Sequence, residues 1–545
     1  MSARRAISRR DLLRAAGALV ATPLASAAQS RALLADGTPE QIHLTWGSDP
    51  SRTVVVSWAS PTLALNPRVL VRSGSAPARS VEAVARHYTD GLSGHRVFTY
   101  HATLDDLAPQ STYQYTVRSD NDLRATPFAA TFATAPRGKA PFRWTSYGDL
   151  STPTASWVMS SPQSRHAVDA VERFAPLFHL LNGDLCYANL NPAAQPAVWA
   201  DFGRNVERSA ALRPWMPCPG NHEIEFGNGA QGMNAYLTRF TLPDNGTRFR
   251  GCWYSFRVSS VLFISLAADD VVYQDSGPFV TGPAPLVPAP GTGQAPIAPG
   301  TSLYIRGYSQ GAQTHWLEHT LASARQDPGV DWIVVQMHQD ALSSSRRGNG
   351  SDKGIREAWL PLFDRYGVDL VLCGHDHDYE RSWPVRGCNH DVGRDAVSGA
   401  VVDTCQPRPT LTVEPAGGEF EASGGTIHLI LGCGGTISPT DDYGAQAGSA
   451  VPEAKVITRA NHPVASGTPG VFMKLNADAR EDAIWSARRD TLTGYGIAVF
   501  DLDPGSPGGR TSITMHYYHA LGADRAPSSD YELFDTVVLA KQRRD

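Results

Sequence analysis

The segment "VLCGHDHDYERS", residues 371–382, places two histidines one residue apart directly after an apolar run. Imidazole is the commonest transition-metal ligand in proteins, so His375 and His377 are candidate ligands at the end of a buried strand. A single His-x-His pair is weak evidence, because histidines are common in loops. The pair gains meaning only if other ligands accompany it.

Four further segments have the same layout, an extended run that ends in polar residues of metal-ligand type. They are "FRWTSYGDL" with Asp149, "LFHLLNGDLCY" with Asp184 and Tyr187, "WMPCPGNHE" with Asn221 and His222, and "DWIVVQMHQ" with His338. The carboxyl ends of strands in an open α/β sheet meet at one crevice. Five strand ends can therefore deliver their side chains to a single site.

The candidate ligands are two carboxylates, a phenol, a carboxamide and three imidazoles. A single zinc ion takes three or four protein ligands, and the C-x-x-C spacing of thiolate zinc sites is absent. Mixed oxygen and nitrogen donors suit two borderline or hard cations that share a bridging carboxylate. The donor set therefore indicates a two-metal hydrolase.

The elements that position these residues alternate between strand and helix from about residue 142 onward. Helix-like segments such as 313–326 and 354–367 separate the short apolar runs, which predicts an α/β domain. A Pro/Gly/Ala-rich stretch, 277–300, is predicted to be an inserted surface loop. A second insertion, 386–424, carries Cys388 and Cys405, which could pair in an oxidising compartment.

The region before this domain has the alternation of an all-β module, with Trp46 and Trp58 as core candidates. The segment "LDDLAPQSTYQYTVRS" places Tyr113 as in the tyrosine corner of a fibronectin type III sandwich. The predicted divisions are a fibronectin-like domain at 38–135, a catalytic domain at 142–485, and a C-terminal β segment at 486–545 that completes the catalytic domain.

The first residues carry the pattern of an export signal. Arg9 and Arg10 precede an apolar stretch that ends in Ala25-Ser26-Ala27, which predicts a twin-arginine signal peptide at 1–27 and transport by that machinery. A Sec signal or a disordered basic tail are the alternatives. The apolar part is too short to span a bilayer, and no later run of about 20 apolar residues follows. We expect a periplasmic, cell-surface or secreted protein.

Composition narrows the possible partners. The chain has 545 residues, so two or three domains are expected. Its formal net charge is −5, whereas nucleic-acid binders usually carry a net positive charge. Nucleic-acid binding is therefore not expected, although a nucleotide substrate remains possible.

The ordered blocks G-D-x, G-D-x-x-Y, G-N-H-E, a strand ending in His, and G-H-x-H resemble purple acid phosphatases, members of the calcineurin-like metallophosphoesterases. The resemblance covers about residues 38–520 and is nearest in character to exported bacterial members. It implies a four-layer α/β sandwich behind an N-terminal fibronectin III-like domain. It also implies an acid phosphatase that attacks phosphorus with a metal-bound hydroxide.

The resemblance further implies a dinuclear centre of Fe(III) and a divalent ion, Zn, Mn or Fe. It assigns to the ferric site the residues Asp149, Tyr187 and His377. It assigns to the divalent site the residues Asn221, His338 and His375, with Asp184 bridging both ions. A phenolate is a hard anionic donor that suits Fe(III), whereas a neutral carboxamide with two imidazoles suits a divalent ion.

His222 matches the residue that the family uses to stabilise the transition state or protonate the leaving group, and orienting a ligand is its alternative role. Glu223 could orient His222.

The chain departs from plant members after His338, where no further histidine follows before Gly354. Arg346 or Arg347 could bind phosphate there, although adjacent arginines in a Ser/Gly loop are often only solvated.

These features favour a phosphatase acting on small phosphate monoesters. An alternative uses the same site on phosphodiesters, nucleotides or phospholipid headgroups. A surface binding protein with a vestigial metal site is disfavoured because all the candidate ligands are present. A serine hydrolase is disfavoured because no G-x-S-x-G segment occurs.

Overall fold

The computed structural model describes residues 36–225, 227–229, 231–274, 306–346, 348–436, 451–465, 472–522 and 526–545. The predicted signal peptide, 1–27, and the Pro/Gly/Ala-rich stretch, 277–300, lie outside these residues. None of the helices in the described ranges has the length and apolar character that crossing a bilayer requires.

The N-terminal part is all-β, as the alternation of its sequence predicts. Its strands are β1 (Glu40–Trp46), β2 (Val54–Ser60), β3 (Arg68–Arg72), β4 (Arg79–Glu82), β5 (Val84–Thr89), β6 (Arg96–Leu104), β7 (Thr112–Arg118) and β8 (Ala129–Ala133). They form two antiparallel four-stranded sheets, in the orders β1-β2-β6-β5 and β4-β3-β7-β8. The backbone N–H of Ala108 donates to Tyr113 Oη at 2.7 Å, which is the upstream contact that a tyrosine corner makes.

The two predicted core tryptophans are buried, with Trp46 0% and Trp58 1% exposed. The ring of Trp46 also packs on Phe178, with the ring centroids 4.8 Å apart. Phe178 belongs to the part of the chain that follows, so the N-terminal sheets share a core with it. An aromatic contact of this kind favours one fixed placement of the two parts.

The catalytic part contains two seven-stranded sheets. Sheet I consists of β9 (Phe142–Tyr147), β10 (Phe178–Asn182), β11 (Trp215–Cys218), β22 (Glu419–Glu421), β27 (Gly496–Asp503), β28 (Arg510–Ala520) and β29 (Tyr531–Gln542). Its order is β11-β10-β9-β27-β28-β29-β22. Strands β9, β10 and β11 are parallel, and β27 from the C-terminal segment pairs antiparallel with β9.

Sheet II consists of β12 (Tyr254–Val258), β13 (Val261–Ser265), β14 (Trp332–Gln336), β16 (Leu370–Cys373), β17 (Tyr379–Ser382), β23 (Ile427–Leu431) and β26 (Ser486–Arg489). Its order is β12-β13-β14-β16-β23-β17-β26. Strands β13, β14, β16 and β23 are parallel. Their side chains are apolar on both faces, as expected for parallel strands covered on both sides.

The helices are α1 (Gln163–Phe174), α2 (Gln195–Ala210), α3 (Asn234–Arg239), α4 (Ala312–Gln326), α5 (Lys353–Ala358) and α6 (Leu360–Tyr366). Short 3-10 helices occupy Ala188–Leu190, Asn221–Glu223, Ala268–Asp270 and Ala422–Gly424. The remaining strands are β15 (Ser351–Asp352), β18 (Val385–Asn389), β19 (Gly393–Asp395), β20 (Val401–Val402), β21 (Gln406–Pro409), β24 (Glu453–Ala465) and β25 (Phe472–Asp482). They form a five-stranded sheet, β15-β24-β25-β19-β20, and a two-stranded sheet, β18-β21.

The layers follow from the alternation of side chains along β14. Trp332 and Val334 belong to the core that also contains sheet I, whereas Ile333 and Val335 pack with residues of α4, α5 and α6. Successive side chains of a strand point to opposite faces, so sheet II is covered by sheet I on one face and by helices on the other. Helices α1 and α2 flank sheet I. The predicted four-layer α/β sandwich is confirmed.

The five strands that precede the candidate ligands are β9, β10, β11, β14 and β16. They are divided between the two sheets: three of the strands belong to sheet I and two to sheet II. The carboxyl ends of both parallel sets nevertheless meet at the same edge, because the sheets are packed face to face.

Candidate metal centre

One group of donor atoms lies in the loops that follow β9, β10 and β16. Tyr187 Oη–H donates to Asp149 Oδ1 at 2.8 Å, and His377 Nε2 lies 3.0 Å from Tyr187 Oη and 3.3 Å from Asp149 Oδ1. Asp149 and Tyr187 are completely buried. Three atoms of metal-ligand type, an oxyanion, a phenol and an imidazole, therefore face one another.

A second group lies beside it, after β10, β14 and β16. Ligand atoms of Asp184, His338 and His375 all lie within 4.8 Å of one another. His338 Nε2 is 3.0 Å from Asp184 Oδ2 and 3.2 Å from His375 Nδ1. All three residues are buried.

The remaining nitrogens of two histidines are held by other groups. His338 Nδ1 lies 2.8 Å from the carbonyl oxygen of Asn182, and His375 Nε2 lies 3.0 Å from Gln274 Oε1. Each acceptor favours a hydrogen on the nitrogen that faces it. In the neutral imidazoles, this leaves a lone pair on His338 Nε2, which faces Asp184, and on His375 Nδ1, which faces His338. A neutral imidazole with such a lone pair is the form that binds a metal ion.

Asn221 and His222 open the 3-10 helix that follows β11. Asn221 Oδ1 is buried and has no hydrogen-bond partner among the described residues. His222 donates its backbone N–H to Asp184 Oδ1 at 2.9 Å, and its Nε2 lies 3.8 Å from Asp184 Oδ2. A buried carboxamide oxygen without a donor is costly unless a cation or another ligand satisfies it.

The donor spacing matches what ions would require. Two ligands about 2.1 Å from one ion, separated by about 90–109°, lie about 3.0–3.4 Å from each other. The Tyr187–His377 and Asp149–His377 pairs, at 3.0 Å and 3.3 Å, have this spacing, as do His338–Asp184 and His338–His375, at 3.0 Å and 3.2 Å. The residues present therefore fit metal binding.

Backbone strain is concentrated at the same residues. Asp149, Asp184, Tyr187 and His375 have φ of 57°, 47°, 58° and 69°. The left-handed region is uncommon for residues other than glycine and costs of order 1–3 kcal/mol at each. Four such residues at one place indicate that the strand ends are shaped for a ligand rather than for stability.

Glycine permits the close approach of these strand ends. A Cβ added at Gly374 would lie 2.5 Å from Asp149 Oδ2 and 3.0 Å from His338 Nδ1. Gly183 has φ of +79°, and a Cβ there would lie 2.5 Å from His338 Nδ1. A larger residue at either position would displace candidate ligands.

The charges of the two groups are strongly coupled. Burial opposes ionisation of Asp184, but the imidazoles of His338 and His222 outweigh burial and hold the pKa of this carboxyl below its ordinary value. Burial also opposes a charge on His338, yet Asp184 and Asp149 raise the pKa of its imidazole to about 10.

The phenol of Tyr187 responds in the opposite sense. Burial, followed by the charges of Asp149 and Asp184, raises the pKa of Tyr187. A cation beside the oxygen would reverse this balance, because it favours the anion. Tyr187 is therefore placed to ionise only together with metal binding.

Two family models match the chain. Residues 39–135 match the purple acid phosphatase N-terminal domain, and residues 162–379 match the calcineurin-like phosphoesterases. A relative from Mycobacterium tuberculosis, an uncharacterized protein, is 42% identical over 516 residues, which is 92% of this chain and 87% of the relative. The chain belongs to the purple acid phosphatase family. It is accordingly a phosphate-ester hydrolase with a metal site.

More distant family members extend the comparison. The Fe(3+)-Zn(2+) purple acid phosphatase 12 of Arabidopsis thaliana is 25% identical over 365 residues, 65% of this chain and 67% of that protein. The structure of a purple acid phosphatase from yellow lupin (Lupinus luteus) seeds superposes with a TM-score of 0.60 at 19% identity. That superposition covers 93% of this chain and 75% of the lupin chain. It establishes a shared metallophosphoesterase fold with an N-terminal all-β domain.

Within this family fold, the expectation that Glu223 orients His222 is wrong. Glu223 Oε2 accepts the backbone N–H groups of Asp184 at 2.9 Å and Gly220 at 2.7 Å, and its Oε1 accepts the N–H of Leu185 at 2.9 Å. His222 Nδ1 instead lies 2.8 Å from Asn189 Oδ1. Asn189 follows Tyr187 by two residues, a position that sequence reasoning did not single out.

The predicted phosphate-binding arginines are not both described. Arg346 Nε lies 3.3 Å from Glu453 Oε1, and its side chain is 41% exposed. This pairing turns Arg346 toward Glu453, whereas Arg347 lies outside the described residues.

Two further residues near the metal centre have no signal in the sequence. Gln274 contacts His375 and also donates through Nε2 to Asn349 Oδ1 at 2.8 Å. Asn349 Nδ2 in turn donates to the carbonyl oxygen of His375 at 2.7 Å. Both are ordinary polar residues in loops, and their position beside His375 depends on segments far apart in the chain.

Proposed function

We propose that the protein is an exported phosphatase that hydrolyses phosphate monoesters at a dinuclear metal centre. The observation that carries this proposal is the pair of adjacent donor groups, accompanied by the buried Asn221 Oδ1 that has no partner among the described residues. A single ion could bind only one of the two donor groups. The other group, or the buried Asn221 oxygen, would then have no cation.

The proposed ligand assignment follows the two groups. Fe(III) would be held by Asp149, Tyr187 and His377, because two oxyanions and one imidazole form a hard donor set. A divalent ion, Zn, Mn or Fe, would be held by Asn221, His338 and His375. Asp184 would bridge the two ions; its Oδ2 lies 3.0 Å from His338 Nε2.

When bound, such a metal pair lowers the pKa of water and supplies the hydroxide that attacks phosphorus. His222 would act on the leaving group. Its Nδ1 is held by Asn189 at 2.8 Å, which turns Nε2 toward Asp184 at 3.8 Å. The side chain is 22% exposed, and from this position its imidazolium would protonate the leaving oxygen of a bound substrate.

The test combines metal analysis, an absorption spectrum and turnover of the purified mature protein. We expect about two ions per chain, one of them iron, and a visible phenolate–iron band. Tyr187→Phe should abolish the band, and the control Tyr113→Phe in the N-terminal domain should retain it. Activity should be higher on p-nitrophenyl phosphate than on bis-(p-nitrophenyl) phosphate, and the reverse order would establish a diesterase. Fewer than about one ion per chain without turnover would contradict the proposal.

The export part rests on Arg9 and Arg10, which lie outside the described residues. The twin-arginine route carries folded proteins, so metals would be loaded before transport. Replacing both residues with lysine should retain activity inside the cell. Undiminished export of that variant would show that another route is used.

We also propose three divisions of the mature chain: 38–135, 142–485 and 486–545. Pairing of β27 with β9 supports the view that the last segment completes the catalytic domain. A chain that ends at residue 485 should therefore be insoluble or unfolded. A soluble, metal-binding protein of that length would contradict this division.

A further inference from the structure

Two of the seven cysteines differ from the others in exposure. Cys186, Cys218, Cys252, Cys373 and Cys433 are buried, whereas Cys388 and Cys405 are half-buried thiols. Cys388 lies in β18, and Cys405 directly precedes β21, the strand with which β18 pairs. These two thiols are therefore neighbours at the surface, in the second insertion and apart from the candidate metal centre.

Contacts between the thiols support their proximity. Burial, followed by a hydrogen bond with the Cys388 side chain, raises the pKa of the Cys405 thiol to about 12. Cys405 also has φ of 47°, and its backbone N–H donates to Asp403 Oδ1 at 2.7 Å. This turn holds Cys405 beside Cys388 and Asp403.

Cys388 is also in contact with a histidine that has a carboxylate partner. Cys388 Sγ lies 3.4 Å from His390 Nε2, and His390 Nδ1 lies 3.1 Å from Asp403 Oδ2. The carboxylate favours a hydrogen on Nδ1, which leaves Nε2 free to accept the thiol proton. A thiol, an imidazole and a carboxylate in this order form the arrangement that generates thiolates in proteins.

We propose that Cys388 and Cys405 form a reactive dithiol that closes to a disulfide by thiol–disulfide exchange after the chain has folded, with His390 as the base for Cys388. The atoms of Asp184, His338 and His375 that could bind a metal all lie within 4.8 Å of one another. Among the described residues, the thiols and the side chains around His390 do not form such a group. The cluster therefore lacks the geometry of a second metal site.

The exchange requires a disulfide oxidant, RSSR. His390 Nε2 takes the proton of Cys388, and the resulting thiolate attacks one sulfur of RSSR, which forms a mixed disulfide and releases RS⁻. Cys405 then loses its proton to solvent and attacks the Cys388 sulfur, which releases the second RS⁻. Both thiolates are protonated, so one dithiol and one RSSR yield one protein disulfide and two RSH.

Closure after folding suits a protein that leaves the cytoplasm already folded, because only exposed thiols can then meet an oxidant. The hairpin of β19 and β20 lies between the two cysteines and pairs with β25. The disulfide would close the chain across the base of this hairpin.

The experiment uses the full chain, reduced and then exposed to oxidised glutathione. Trypsin cleaves at Arg394, which is the only lysine or arginine between the two cysteines. We expect non-reducing digestion to yield the peptides of Cys388 and Cys405 joined by a disulfide, with the five buried thiols unmodified. Retention of all thiols, or a lasting glutathione adduct on Cys388, would overturn the proposal.

Variants separate the roles of the residues. Cys405→Ser should stop at the mixed disulfide on Cys388, whereas Cys388→Ser should gain glutathione only slowly. His390→Ala should slow closure by about 3- to 10-fold at neutral pH, through the loss of thiolate. The control His95→Ala, an exposed histidine of the N-terminal domain, should close at the wild-type rate. Equal rates for both histidine variants would overturn the base role, and far-UV circular dichroism checks that each variant is folded.

Discussion

Replacing Glu223 with glutamine should loosen two of the loops that carry candidate ligands. The carboxylate accepts the backbone N–H of Asp184 and Leu185 in the loop after β10, and that of Gly220 in the loop after β11. Glu223 is completely buried. A single side chain therefore joins the loop of Asp184 and Tyr187 to the segment that begins with Asn221.

The magnitude follows from the number of acceptors that remain. In Glu223→Gln the amide oxygen can keep two of the three bonds, but the NH₂ group would face the N–H of Leu185. The loss of one charge-assisted bond, together with a buried unsatisfied donor, costs about 2–4 kcal/mol. The substitution also removes a buried charge beside Asp184; burial and that neighbour raise the pKa of Glu223. Relief of this repulsion offsets part of the cost, so we expect a net loss of about 2 kcal/mol.

Hydrogen–deuterium exchange followed by mass spectrometry measures this loss directly. A loss of about 2 kcal/mol corresponds to about 30-fold faster exchange at the amides of Leu185 and Gly220. Metal content should fall at both sites, since both loops carry ligands. Glu207→Gln is the control: Glu207 lies outside both loops, and its Oε2 accepts the backbone N–H of Ile42 at 3.0 Å, a bond that an amide oxygen can keep.

Wild-type exchange rates at Leu185 and Gly220 in Glu223→Gln would refute this reasoning. That result would mean that Glu223 is protonated in the native protein or that the loops are held by other contacts. Equal acceleration in Glu207→Gln would show a general loss of stability rather than the loss of this junction.

Asp184→Asn should lower occupancy at both metal sites and abolish turnover; two retained ions with near-normal activity, by elemental analysis and kcat, would mean that another carboxylate bridges. His222→Ala should keep both ions and lose about 10²–10⁴-fold in kcat, less on p-nitrophenyl phosphate than on an alkyl phosphate, whose leaving group needs a proton. Equal losses on the two substrates would remove the general-acid role. Burial raises the pKa of Glu225 to about 7, so the folded state binds this proton more tightly than the unfolded state. The free energy of unfolding therefore has its full contribution from Glu225 below about pH 4.5. That contribution falls by about 3 kcal/mol as the pH rises from about 4.5 to about 7. Urea unfolding of Glu225→Gln should lack this loss, and parallel pH profiles for variant and wild type would contradict it.

Local sequence patterns were sufficient to predict the strands that carry the site. The extended runs before Asp149, Asp184, Asn221, His338 and His375 form β9, β10, β11, β14 and β16, because a short run rich in apolar residues and followed by glycine or a polar residue is typical of a buried strand and its end. The donor chemistry was equally local, since the types and order of the ligands are visible in the chain.

The sequence could not reveal which strands share a sheet. The continuous apolar run of β14 indicates that this strand is buried on both faces, but not that one face meets sheet I and the other the helices. That choice depends on pairings between segments far apart in the chain, and these are decided by the packing of the whole domain.

The same limit applies to the contacts that tune each ligand. Gln274 meets His375 across 101 residues, and the carbonyl of Asn182 meets His338 across 156. Neither Gln274 nor Asn182 belongs to a motif, because any acceptor at the right point in space can hold an imidazole. Residue types and local periodicity thus indicated the strands, the candidate ligands and the family. Tertiary structure alone decided that the ends of two sets of strands meet at one edge, that Glu223 joins loops instead of orienting His222, and that Arg346 turns toward Glu453. Each of these arrangements depends on distances between segments far apart in the chain, which local patterns do not encode.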